Sequence, residues 1–181
     1  MPAPASTLPE SSRNALRLAL EHELLADIPL SRAMALRITA WDGEVLEMNA
    51  PLAPNINDKG CAFGGSLASV MTLAGWALVR LAVDAAGLAG DIYVQDSTIR
   101  YLAPVWGDLH AQARLDGEDS FATFLDALRA RGKARLTVQV VVAADDGSPA
   151  TTLSARFVAM ARADSSKRSV DAAQSPAIHA A

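Results

Sequence analysis

Cysteine occurs once in the 181 residues, as Cys61. No disulfide can form within such a chain, and a reducing, cytoplasmic compartment is the expectation. Histidine is nearly as scarce. His22, His110 and His179 stand far apart without metal-ligand spacing, so neither a metal nor a cofactor is expected. Long basic blocks are missing as well: Lys59 and Arg80 are isolated, and only Arg129, Arg131, Lys133 and Arg135 form a run. With a formal net charge of −4, the chain presents no cationic face of the kind that nucleic acid requires. Met1 to Glu10 contains no basic segment leading into an apolar one, so no secretory leader is expected there. No internal repeat is visible.

Apolar residues make up 51% of the chain and charged residues 20%, the balance of a soluble globular protein with one substantial core. Residues 1–9, rich in proline, alanine and serine, and the polar, aperiodic residues 164–181 read as mobile tails around one domain at 10–163. The one long apolar run, Phe63 to Val79, has 17 residues without a charge, at the short edge of a bilayer span. It opens on Gly64-Gly65 and contains Ser66, Ser69 and Thr72, which favours a helix buried in protein on all sides. No membrane partner is expected.

The remaining pattern alternates clearly. A helix is expected from a Ser11 or Ser12 cap to about Ala26, with Leu16, Leu20 and Leu24 along one side, and Pro29 then interrupts the chain. Met34–Ala40 and Glu44–Met48 read as a hairpin about Asp42-Gly43. A Pro/Asn-rich loop, 51–60, leads to the apolar helix at about 64–86, which Gly87 closes. Strands are predicted at 92–102 and 109–115. A short helix carries Phe121, Phe124, Leu125 and Leu128, and two final strands flank Asp146-Gly147. The order α-β-β-α-β-β-α-β-β implies an α+β domain in which a curved antiparallel sheet wraps the apolar helix. A second subunit is expected to cover what one sheet leaves open.

Chemistry concentrates in Asn55-Ile-Asn57-Asp58-Lys59-Gly60-Cys61-Ala-Phe63-Gly64-Gly65-Ser66. A helix start offers unpaired amides at the positive end of its dipole. Glycines let a ligand carbonyl approach those amides unobstructed, and amides so placed stabilise an oxyanion. On this reading Asn55 and Asn57 hold the attacking water or fix the loop, and Ser66 caps or packs the first turn. The plain alternative is that Gly64-Gly65 serves only close packing.

Two motifs carry a family likeness. Asn57-x-x-Gly60-x-x-Phe63-Gly64-Gly65 resembles the Asn-x-x-Gly-x-x-His-Gly-Gly element of hot-dog-fold acyl-CoA thioesterases. Tyr101-x-x-Pro104-x-x-Gly107-Asp108 is similar to the turn that ends their long central strand. More narrowly, 51–66 with Ala74-Gly75-Trp76 resembles the thioesterase family that also occurs as the C-terminal domain of YiiD-type acetyltransferases. The resemblance implies a hot-dog fold. It also implies a homodimer, with further pairing to a tetramer, acting on an acyl thioester of coenzyme A or acyl carrier protein. Phe63 stands where many relatives have histidine, and Thr72 where many have a helix carboxylate, contributed by the partner subunit.

Threonine orients water but is no general base at a useful pKa. Asp58, the carboxylate nearest the glycines in sequence, is the first candidate base, against the reading of an ordinary loop aspartate. Asp96 is the second; alternation sets it opposite Ile99 and Tyr101, while Ser97 shares their face and is a candidate lining residue. Cys61 has no histidine near in sequence and reads as a small buried residue rather than a nucleophile. Lys59, like the run Arg129–Arg135, is a candidate for substrate phosphates. The same arginines also suit a helix C-terminus, and Lys133 and Arg135 an outward strand face. A non-catalytic thioester-binding module is the rival reading, and a hydratase of the same fold ranks last.

Overall fold

The computed structural model describes residues 5–117, 119–144 and 146–162. Four helices are α1 (Glu10–Asp27), α2 (Pro29–Ala33), α3 (Gly64–Ala85) and α4 (Phe121–Arg131). Six strands are β1 (Arg37–Trp41), β2 (Val45–Ala50), β3 (Gly90–Tyr101), β4 (Leu109–Leu115), β5 (Lys133–Ala143) and β6 (Pro149–Ala161). The strands form one antiparallel sheet in the order β1-β2-β4-β5-β6-β3. The sheet wraps α3, whose Val70, Met71, Leu78 and Val79 are fully covered, and the buried alternate residues of β4, β5 and β6 close over it. By length and composition α3 could cross a membrane. Here its apolar surface goes into the sheet instead.

Local chemistry sets the ends of these elements. At α3, Gly87 takes a positive φ of 66°, its amide bonds the carbonyl of Asp84, and Leu88 bonds that of Val83. These two bonds are the Schellman pattern that the glycine foretold. Ser120 caps α4 by accepting from the Thr123 amide, and Gly132 ends that helix in the left-handed region. Asp42 Oδ1 accepts from the amides of Glu44 and Val45 in the first hairpin turn. In the last turn, the Ser148 hydroxyl and amide donate to Asp146 and hold its carboxyl below the usual range.

Three expectations change. The first helix starts at Glu10 with Pro9 before it and no side-chain cap, rather than on Ser11 or Ser12. Pro29 does not simply interrupt the chain. It opens a further helical turn, α2, held where the buried Ser31 hydroxyl reaches the carbonyls of Leu24 and Ile28. β1 therefore begins at Arg37 instead of Met34, after Ala35 at φ 54°. Within the expected N-terminal tail, Ala5–Thr7 forms a 3-10 turn and Ala5 packs on the core. Residues 1–4 and the proposed C-terminal tail, 164–181, lie outside the described residues.

The two sheet edges are treated differently. At β1, Arg17 donates to the Ile38 carbonyl and Glu21 accepts from the Ile38 amide at 2.7 Å, so side chains of α1 occupy that edge. β3 is the other edge, and Tyr93 to Thr98 are exposed along it. Its register slips between Val94 and Asp96. This bulge puts Ile92 and Val94 on the same helix-facing side as Ser97, Ile99 and Tyr101, opposite the buried Ala159, Phe157, Ala155, Leu153 and Thr151.

Inside α3, Gly75 is packed closely against the Phe157 ring of β6. A Cβ there would sit 3.0 Å from two ring carbons of Phe157, which explains a glycine where alanine is worth roughly 1 kcal/mol more in helix propensity. Gly75→Leu is expected to destabilise the fold by about 1–3 kcal/mol through overpacking, read as a lower midpoint in urea unfolding with an unchanged slope.

Candidate functional site

The loop before α3 is built around one side chain. Asn57 Oδ1 accepts from the amides of Lys59 (2.8 Å) and Cys61 (3.3 Å), and its Nδ2 donates to Cys61 Sγ at 3.2 Å. The Asn57 amide bonds the Cys61 carbonyl, and Gly60 turns the chain at φ 87°. Asn57 thus fixes the loop, one of the two roles expected of it. Asn55 is buried, its Nδ2 donates to the carbonyls of Met34 and Pro51, and its backbone carbonyl receives the Phe63 amide, while its side-chain Oδ1 is buried without a partner among the described residues. It too is a scaffold residue.

The two sequence motifs are stitched together. The Ala62 amide bonds the Val105 carbonyl at 2.8 Å, and Asp108 Oδ1 accepts from the Leu52 amide at 2.8 Å. Tyr101 closes the arrangement: its hydroxyl donates to the Gly64 carbonyl at 3.1 Å, and its ring lies against Gly64. A cleft of about 320 Å3 lies here, with Ala62, Gly64, Leu67, Tyr101, Ala103 and Val105 among its lining. Larger hollows, of about 470 and 560 Å3, lie beside the α4 N-terminus and between α1 and β1, away from these glycines. Tyr101 is the residue that sequence reasoning passed over as part of a turn, although its place three residues before Pro104 was the signal.

α3 begins at this cleft with Phe63 in the cap position and no side-chain cap. Leu67 bonds back to the Phe63 carbonyl, and among the described residues the amides of Gly64, Gly65 and Ser66 have no acceptor. Ser66 is half-buried at the third helical position and does not cap the helix, correcting one of the two roles expected of it. The exposed Phe63 ring leans over Gly65, where a Cβ would come within 2.3 Å of it. A side chain at 65 would push that exposed ring aside, so glycine leaves both the ring and this exposed turn of the helix unobstructed. The helix thus offers three donors and its positive end to a carbonyl oxygen.

The remaining candidates divide. Thr72 is half-buried two turns beyond Gly65 on the same side of α3, and Ser69 between them turns its hydroxyl onto the Gly65 carbonyl. Ser97 faces the helix from β3, and Asp96 lies opposite Arg156 on the outer side. Asp58 is 79% exposed and paired with Lys59 at 2.9 Å, so both charges of this loop face water. Cys61 is buried and receives the Asn57 bond. Arg129 pairs with Asp126 in the last turn of α4, and Arg135 donates to Gln95, so the basic run is spread over a helix end and an outer face. Among the described residues no three His, Cys, Asp or Glu side chains gather as metal ligands.

Comparison with known proteins now bears on this geometry. A solved protein of unknown function from Chlorobaculum tepidum is 30% identical with a TM-score of 0.77, covering 87% of this chain and 99% of its own. A putative thioesterase from Shewanella oneidensis is 32% identical with a TM-score of 0.73, covering 81% of this chain and 99% of its own. A probable thioesterase from Pseudomonas aeruginosa, 23% identical, shares the fold with a TM-score of 0.68, over 86% of this chain and 97% of that one. The model of the putative thioesterase family (yiiD_Cterm) matches residues 17–161. The uncapped helix inside its curved sheet is thus the hot-dog fold, and the chain belongs to the putative thioesterase family.

Proposed function

We propose that this chain hydrolyses an acyl thioester of coenzyme A or acyl carrier protein, working as a homodimer joined along β3. The observation that carries the reading is the start of α3: amides without acceptors, beside a cleft, with glycine at the two positions a carbonyl must approach. The thioester oxygen accepts from the Gly64 and Gly65 amides. Water adds to the carbonyl carbon, its proton passes to a base, and the electron pair rests on the oxyanion the amides hold. Collapse breaks the C–S bond, and the thiolate leaves and takes a proton, giving the carboxylic acid and the free thiol.

Asp58 is proposed as the base, with Lys59 and Phe63 toward the substrate's head and Ser66 and Ser97 along its path. Thr72 of the partner subunit is proposed to orient the water. The dimer reading rests on the asymmetry of the sheet: Arg17 and Glu21 bond both backbone groups of Ile38 at one edge, whereas β3 leaves Tyr93 to Thr98 exposed at the other, the usual place for a second chain to add strands. A cytoplasmic location is part of the same proposal, and the single free cysteine fits a reducing compartment. A tetramer is a further step of the same kind.

One observation favours the rival reading of a binding module. The loop carboxylate is tied to Lys59 in solvent, and α3 carries threonine where a catalytic acid would stand.

Thiol release across acyl-CoAs decides between the two. Turnover lost in Asp58→Ala is the expected result; saturable binding without release in the parent protein sinks the hydrolase. Gly65→Val is expected to abolish release while the assembly persists in sedimentation. Asn57→Ala should lower stability by about 1–3 kcal/mol through its lost loop bonds, whereas Asp58→Ala should leave the melting temperature unmoved. For the interface, sedimentation should give twice the 18.9 kDa chain mass. Val94→Asp on the bare strand should shift that toward the monomer, and a parent protein that runs as a monomer overturns the dimer.

A further inference from the structure

Residues along one side of α3 differ in a way the core does not require. At about 100° per residue, Gly65, Ser69, Thr72 and Trp76 fall in line. The first three are small or short, the fourth is the largest side chain available, and none is fully buried. Two bonds fix how this line lies against β3. The Tyr101 hydroxyl meets the Gly64 carbonyl at the start of the helix, and the Trp76 indole N–H donates to the Ile92 carbonyl at 3.1 Å three turns on. Between these ties, the helix-facing side of β3 is partly uncovered: Val94 is 46% exposed and Ser97 exposed, while Ile99 is half-buried against the core. Next to the indole it is covered, with Ile92 at 8%.

The indole is also held in place from behind. The Arg80 guanidinium sits 5.9 Å from the ring centroid, within cation–π range. Arg80 is itself bonded to both carboxylate oxygens of Asp84 and to Glu23. Burial holds the Asp84 carboxyl above its ordinary range while Arg80 pulls it down. A ring with one hydrogen bond to the strand and a cation stacked behind it does not swing aside as a free tryptophan would.

We infer that Trp76 is the end wall of the acyl groove and sets the longest chain the protein accepts, an inference that rests on the thioester reading above. With the carbonyl at the Gly64 and Gly65 amides, the acyl chain runs over Thr72 and along Val94, Ser97 and Ile99. From Gly65 to Trp76 the helix advances about 16 Å, room for a medium-length chain. Each methylene laid in that space leaves water. At the indole the gain stops, because a longer chain must fold back or stay in solvent.

The test uses the full-length protein and coenzyme A thioesters from butyryl to stearoyl, reading both kcat/KM for thiol release and the calorimetric Kd. The parent should show an optimum at medium length. Trp76→Ala should move it to longer chains and raise the long-to-medium ratio by about tenfold. Trp76→Phe, which keeps a ring but loses the Ile92 bond, should keep an optimum near the parent's. If Trp76→Ala does not fold, Trp76→Leu shortens the wall with less loss of volume and is read in the same way.

An unchanged profile in Trp76→Ala, or an equal loss at every length, overturns the wall. Absence of thiol release in the parent defeats the hydrolase alone, since a chain-length limit in Kd that moves with Trp76→Ala still supports the wall. Absence of binding at every length overturns both.

Discussion

A helix that is apolar around its whole circumference has to be enclosed, and nearly everything else in this molecule follows from enclosing α3. The curved sheet does most of it, with β4, β5 and β6 supplying alternate small and branched side chains at 111, 113, 138, 140, 153 and 155. Gly75 lets Phe157 come against the helix backbone, so the wrap is tight at the centre. It is incomplete along one line, where Gly65, Thr72 and Trp76 meet an edge strand whose inner face stays open. The candidate site is that incompleteness. A single sheet cannot close fully on a cylinder without becoming a barrel, and the place where it stops is where a ligand or a second subunit can enter.

The start of the helix shows how a polar end is kept usable inside an apolar wrap. Helix amides left without acceptors usually find a capping side chain, and here Phe63 cannot provide one. Four neighbouring side chains make bonds elsewhere: Asn57 with its own loop, the Asn55 Nδ2 with Met34 and Pro51, Ser69 with the Gly65 carbonyl, Tyr101 with the Gly64 carbonyl. The donors of Gly64, Gly65 and Ser66 are left as the polar feature of that cleft. Such a start, open to solvent at Phe63 and Gly65, leaves its amides free for water or a ligand, and it is also the arrangement that favours an oxygen gaining negative charge.

Charge serves the frame rather than the cleft. Arg17 and Glu21 fill one sheet edge, Arg80 ties α1 to α3 through Glu23 and braces Trp76, and Arg162 pairs with Asp91 at the start of β3. In the loop beside the glycines, Asp58 and Lys59 neutralise each other in water. This separation leaves the backbone amides at the start of α3 without a charged side chain bonded to them.

The sequence by itself determined the elements and the wrapped helix. Strand alternation, the Asp42-Gly43 turn and the Gly87 and Gly132 stops are local effects, readable wherever a residue's own backbone preference decides the outcome. The start of α3, where the candidate site is placed, was legible for the same reason, since Gly64-Gly65 begin the helix that the apolar run requires. The tertiary structure alone decided which residues scaffold the site and which face it. Asn57 turned inward to its own loop, Ser66 gave up the cap, and the bulge before Asp96 moved Val94 onto the face of Ser97. Tyr101 and Trp76, far apart in the chain from what they touch, became two ties between α3 and β3. Those outcomes depend on which distant backbone atoms arrive beside each side chain, and that is fixed by strand order and register, which no local preference encodes.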